Sequence, residues 1–157
     1  MAAAKTLSGN WTNETSTSKC YCFLQGPDNN KKSYIQFIWE KYPNLQELKC
    51  QCQDLSCKKS VKRNDDPKIR QKMHGAHVVN EKCDVIIIPL FETHNTAGEN
   101  FPPFKPRADA PYVVLECCCY QIVGGFMRAR DCKCNGTKKC LCCQQREAHK
   151  GTFRCTC

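Results

Sequence analysis

Six Cys-x-Cys pairs constrain this chain more than any other feature: Cys20/Cys22, Cys50/Cys52, Cys117/Cys119, Cys132/Cys134, Cys140/Cys142 and Cys155/Cys157. Cys57, Cys83, Cys118 and Cys143 bring the total to 16 cysteines in 157 residues. Residues i and i+2 of an extended strand project to one face, so each pair offers two sulfurs to a single site. Two pairs would close a tetrahedral zinc site. The same density fits a secreted disulfide scaffold, and the sequons at Asn10, Asn13 and Asn135 point that way. No apolar stretch of signal-peptide length follows Met1, which favours thiolate–metal sites in a reducing compartment. Cross-links of one kind or the other must carry much of the stability. The hydrophobic share of 41% falls to about 30% once cysteine is set aside, thin for a conventional core. Collagen, coiled coil and simple helical bundle are excluded by composition. No apolar run approaches the roughly 18 residues that span a membrane.

Residues 1–19, rich in Ser, Thr, Asn and Ala, read as a disordered tail, and 20–157 as one cysteine-rich metal-binding domain. Between the turn residues Pro27-Asp28-Asn29-Asn30 and Pro43, the residues Tyr34, Ile35, Ile38, Trp39 and Tyr42 recur at helical spacing. That pattern predicts a short amphipathic helix at 31–42. Val85–Ile88 reads as a buried strand ended by Pro89. Thr93–Pro111, with four prolines, reads as a loop between an N-terminal and a C-terminal half. Tyr112–Val123, the turn Gly124-Gly125 and Phe126–Cys134 form the start of an antiparallel β-meander. The expected fold class is therefore a small α+β domain stabilised by zinc.

If Val123 pairs with Phe126, Cys117 faces Cys132, with Cys119 and Cys134 on the same side of the sheet. Those four sulfurs would gather around one ion. By the same count Cys140 and Cys142 turn to the opposite face, towards a separate site with Cys155 and Cys157. Cys20, Cys22, Cys50, Cys52, Cys57 and Cys143 complete the expected zinc ligands. His74 and His77, followed by Cys83, are candidates for a mixed site.

No catalytic constellation stands out. Nothing singles out a reactive thiol to pair with His74, His77, His94 or His149. The zinc-deaminase pattern, the phosphate-cradling glycine loop and the Gly-x-Ser-x-Gly elbow are all missing from the sequence. An enzyme is not expected. The net charge of +9 suggests a different activity, with Lys58, Lys59, Lys62 and Arg63 opening a basic run that would suit phosphates. Thiolate ligands temper this. A zinc with four thiolates carries about −2, so three such sites would leave roughly +3.

The order of the cysteine segments resembles the adenoviral early-region-four 34-kilodalton protein family. Cys20-Tyr-Cys22 is followed by Leu48-Lys-Cys50-Gln-Cys52 and then Cys57, similar to that family's cysteine cluster and hydrophobic-x-Cys-x-Cys segment. Val113-Val114-Leu115-Glu116-Cys117-Cys118-Cys119 looks like its apolar strand running into clustered cysteines. Arg128-Ala129-Arg130-Asp131-Cys132-Lys133-Cys134 looks like the basic segment after it. The chain reads as a short, diverged member. The resemblance implies a zinc-dependent adaptor in the host nucleus. It would bridge a cullin ubiquitin ligase, through elongin, to host proteins, together with a second viral protein. Leu115, Cys119 and Val123 match the Leu-x3-Cys-x3-aliphatic bridging motif, which needs a helix where the residues themselves suggest a strand. Two other readings stay open: a zinc-stabilised nucleic-acid-binding regulator or silencing suppressor, and a secreted disulfide-rich interaction module.

Overall fold

A computed structural model of the chain describes residues 7–13, 33–52, 57–95, 105–107, 109–116 and 120–129. Cys20, Cys22, Cys117, Cys118, Cys119, Cys132, Cys134, Cys140, Cys142, Cys143, Cys155 and Cys157 lie outside the described residues, as does Asn135. The four-sulfur sites expected of those cysteines fall outside them too.

Mixed helix and strand content around an antiparallel sheet matches the α+β expectation. The centre is a hairpin of β4 (Met73–Asn80) and β5 (Val85–Phe91), in register with His77 opposite Ile87. Asn80 makes the turn, its Oδ1 accepting from the amides of Lys82 at 3.0 Å and Asp84 at 2.9 Å. Cys83 takes the left-handed conformation there, at φ 62°. Outside this hairpin lie β1 (Trp11–Asn13) against β4, and β7 (Phe126–Ala129) then β6 (Tyr120–Val123) beyond β5, in the order β1-β4-β5-β7-β6. Residues 85–90 of β5 are all buried, so both faces of the central strand are covered.

Pro89 does not end its strand as expected. The amide and carbonyl of Ile87 both bond Val113, at 3.0 Å each, so odd-numbered residues of β5 turn their polar groups away from β4. Pro89 falls in that series, and its missing N–H costs the β4 ladder nothing. Its carbonyl accepts from the Gln51 amide at 3.0 Å.

The expected helix is α1 (Tyr34–Lys41), beginning later than the spacing suggested because Ser33 starts it. The Ser33 amide donates to the Gln36 side chain at 2.8 Å, as in a capping box. Tyr34, Ile35, Ile38 and Trp39 are the buried stripe. Gly75 on β4 is what lets this helix come close. A Cβ there would stand 2.6 Å from the Tyr34 Cβ and 2.8 Å from the Ile35 nitrogen. Backbone cannot yield as a side-chain tip does, so Gly75→Ala is expected to cost about 2–3 kcal/mol through overpacking. Urea denaturation measures this, and a cost under about 0.5 kcal/mol, the usual range for surface changes, would contradict the packing.

The N-terminal tail is ordered over Leu7–Asn13, contrary to expectation. Trp11 is 1% exposed, meets Phe126 edge-on at 5.8 Å and donates its indole N–H to the Ser8 carbonyl at 3.1 Å. Burial of one large ring overrides a polar composition.

The C-terminal hairpin has the expected turn and register, Val123 opposite Phe126. Its first strand is shorter than expected, because residues 112–116 lie outside any strand apart from a single bridge between Val113 and Ile87. The Tyr112 carbonyl accepts from Lys41 Nζ at 2.9 Å and the Tyr42 hydroxyl at 3.0 Å, which docks this segment on the end of α1. The expected loop from Thr93 is likewise revised at its start, where α3 (Glu92–Asn95) continues straight from β5. Among the described residues no helix is long and apolar enough to cross a membrane.

Candidate metal centre

A second, two-stranded sheet pairs β2 (Glu47–Lys49) with β3 (Ser60–Lys62). Leu48 and Val61, opposite each other, are buried, and the alternate residues face outward. The connection between these strands carries Cys50, Cys52 and Cys57. Three bonds donated by backbone amides fix it in place. The Cys50 amide donates to the Lys59 carbonyl at 2.9 Å, the Gln51 amide to Pro89, and the Phe91 amide to Cys50 Sγ at 3.2 Å. The last two use the odd-numbered polar groups that β5 leaves over beyond Val113.

Helix α3 then brings in a fourth donor. His94 Nδ1 lies 3.2 Å from Cys50 Sγ and 3.8 Å from Cys57 Sγ, and the ligand atoms of Cys50, Cys52, Cys57 and His94 all fall within 4.8 Å of one another. A tetrahedral ion with ordinary zinc–sulfur and zinc–nitrogen bonds would hold its donors about 3.5–3.8 Å apart. This group is close enough to hold a metal ion. The helix itself is held by Glu92, whose amide donates to the Lys72 carbonyl at 2.7 Å, and by Asn95. Asn13 Nδ2 donates to the Asn95 carbonyl at 2.8 Å, and the Asn95 side chain meets His74 Nδ1 at 3.1 Å.

Burial pushes the Cys50 thiol above its ordinary value, while the Phe91 and Cys52 amides pull it down. Burial dominates, so without a cation the proton stays on. A bound cation would reverse that balance, and the Phe91 N–H would then support the thiolate.

Cys50, Cys52 and Cys57, expected as zinc ligands but not assigned to a common site by their spacing, lie together. His94 completes the group in place of a second Cys-x-Cys pair. No spacing signal links His94 to a cysteine 37 residues earlier. The proposed mixed site does not assemble: His74 meets Asn95, the His77 ring packs edge-on to Tyr34 at 4.6 Å, and Cys83 is disulfide-bonded.

No protein-family model, curated protein or solved structure matches the chain. The viral resemblance accordingly rests on its cysteine segments alone. Within the bridging motif, Cys119 lies outside the described residues, Leu115 is half-buried, and Val123 is exposed on strand β6. A helical display of the motif is thus contradicted over Tyr120–Val123, where cross-strand pairing with β7 sets an extended backbone.

Of the expected phosphate contacts, Lys58, Lys59 and Lys62 are exposed, but Arg63 is committed elsewhere. Its Nε donates to the Leu45 carbonyl at 2.9 Å, and one terminal nitrogen to the carbonyls of Trp39 at 3.1 Å and Tyr42 at 2.9 Å. The guanidinium also lies over the Trp39 ring, 4.7 Å from its centroid. Arg63 therefore caps the C-terminal end of α1. Arg63→Gln is expected to cost about 2–3 kcal/mol, as charge-assisted bonds to three carbonyls are lost. Arg63→Lys recovers little, since one ammonium cannot reproduce the fork. Thermal unfolding of both variants checks this.

Asn13 revises another expectation. It is 4% exposed with its amide nitrogen bonded to Asn95, so a glycan on that nitrogen does not fit this fold.

Proposed function

We propose that this protein is a non-catalytic, zinc-stabilised regulatory protein that works by binding other macromolecules. Cys50, Cys52, Cys57 and His94 hold its structural zinc. One observation carries the reading, the gathering of three sulfurs and one imidazole nitrogen into a complete four-donor set. Structural zinc sites are closed in this way, whereas catalytic ones keep a position for water or substrate. Thiolate-rich donor sets of this kind select zinc over magnesium or calcium, which prefer oxygen. Bound there, the ion would tie the β2–β3 connection to the end of β5 and to α3.

Resemblance to the adenoviral early-region-four family supports a setting for this activity. In that setting the protein recruits host proteins to a cullin–elongin ubiquitin ligase in the nucleus. The metal would then be architectural, and the partner contacts would lie on other surfaces. Capture of cullin and elongin by tagged protein from host-cell extract supports the adaptor role, and failure of the zinc-loaded protein to retain them overturns it.

Native mass spectrometry tests the metal reading. Protein made under reducing conditions with zinc is expected to lose one zinc per chain on His94→Ala. An unchanged metal count would remove His94 from the site.

A further inference from the structure

The outward side of the β2–β3 ribbon and the connection beside it form a cationic surface. A concavity of about 450 Å³ elsewhere, between α1 and α2 (Pro67–Arg70), has a mixed lining and points to no ligand class. The smaller one, about 270 Å³, is different. Its lining includes Lys49, Lys58, Lys59 and Arg107, with Ser60 and a single carboxylate, Glu47. Glu47 is engaged by the Ser60 hydroxyl at 2.6 Å. Lys62, opposite Glu47 on the same ribbon, extends the positive surface.

Several other cations among the described residues are already engaged within the fold. Arg63 and Lys41 are spent on backbone carbonyls, and Arg128 pairs with Asp84 at 2.9 Å. Lys49, Lys58, Lys62 and Arg107 are exposed and, among the described residues, take part in no ion pair. Lys59 lies over the Phe91 ring at 5.3 Å. Cys57 also lines the concavity. Three thiolates and a neutral imidazole around zinc leave a charge of about −1, so the ion and Glu47 together do not neutralise four cations.

We propose that this surface binds the phosphodiester backbone of nucleic acid, without sequence preference. Lysine-rich, exposed and convergent positive charge suits phosphates, which need point charges more than shaped pockets. Arg107 adds a fork that can grip one phosphate through two oxygens. A protein partner would call for a buried aromatic or aliphatic anchor, and the lining supplies none. The formal charge of the whole chain, +9 with neutral thiols and about +8 with one such zinc site, has the same sign and speeds the approach of a polyanion. Two of the grasping residues, Lys49 and Arg107, lie outside the basic run that opens at Lys58, and Arg63 within that run plays no part. The inference rests on the metal reading in one respect, that the zinc fixes the connection bearing Lys58.

The test uses the full zinc-loaded chain and a fluorescein-labelled 20-nucleotide oligo-uridine RNA in anisotropy titrations across salt concentrations. Lys49→Gln/Lys58→Gln/Arg107→Gln is expected to weaken binding at least about tenfold and to reduce the salt slope by about 2, as three phosphate contacts on a single strand predict. Lys68→Gln/Lys72→Gln/Lys82→Gln removes the same charge from exposed lysines elsewhere and should weaken binding less than threefold. Metal content by native mass spectrometry should stay at the wild-type value in both variants, which separates this outcome from a failure of the zinc site. Equal losses in the two variants would overturn the proposal. So would wild-type affinity for a glutamate-rich peptide matching that for RNA, because the surface would then read charge alone.

Discussion

Replacing His94 by alanine should lower the melting temperature by about 10–15 °C, and no other alanine substitution at the metal centre should be tolerated better. The estimate starts from the apparent binding energy of structural zinc in small domains, about 10–16 kcal/mol, most of which folding spends in ordering the ligands. Losing one of four donors weakens the ion's hold and strands the buried Cys50 thiol, at 3% exposure, beside an empty position. About 4 kcal/mol is a conservative share, and in a chain of this size each kcal/mol moves the midpoint by about 2–4 °C. His94→Cys is the informative companion, because zinc accepts a set of four cysteines as well as one of three cysteines and a histidine. It should keep the metal and most of the melting temperature. A chelator should lower the wild type by at least as much as His94→Ala does. If the alanine variant melts with the wild type and keeps its metal, the four residues meet for reasons other than an ion.

Trp11→Ala is the second large effect, expected to cost about 3–5 kcal/mol as a fully buried aromatic is removed and a cavity is left beside Phe126. Asn10→Ala, one residue away and exposed, should stay within about 0.5 kcal/mol. Chemical denaturation with tryptophan fluorescence compares them, since only Trp39 remains to report in the first variant. Equal and small costs would return this segment to a loose tail. Asn13 gives the test a second edge. Damage to β1 should reach the metal centre, because Asn13 holds Asn95 next to His94. Reduced zinc retention in Trp11→Ala is therefore expected as well.

Local features were legible and long-range ones were not. Periodic apolar residues placed α1, and a Gly-Gly pair placed the β6–β7 turn with its register, because both signals are complete within a dozen residues. Three of four donors in the cluster were legible as ligands for the same reason, as cysteines with short spacing, though their common site was not. His94 was not, because its place depends on β5 running back past Cys50, which is a property of topology. Trp11 lacked any repeating partner in its tail, so its burial against a strand nearly 70 residues later left no pattern to read. Arg63 looked like one more member of a basic run. Its role appears only when three carbonyls converge on it. Pro89 was read by its usual effect on strands, which applies only where its amide would have been needed.

The distance along the chain between the sulfurs and His94 also orders events during synthesis. Cys57 precedes His94 by 37 residues, so a ribosome working at about 5–20 residues per second exposes the three thiols about 2–7 s before their fourth partner exists. During that interval the nascent chain offers an incomplete donor set, open to other metals, oxidants and stray disulfides. Closure waits for β5 to pair with β4 and present α3. On the metal reading proposed above, the finished sheet would time metal capture, and the ion would be the last fastening of a core already in place.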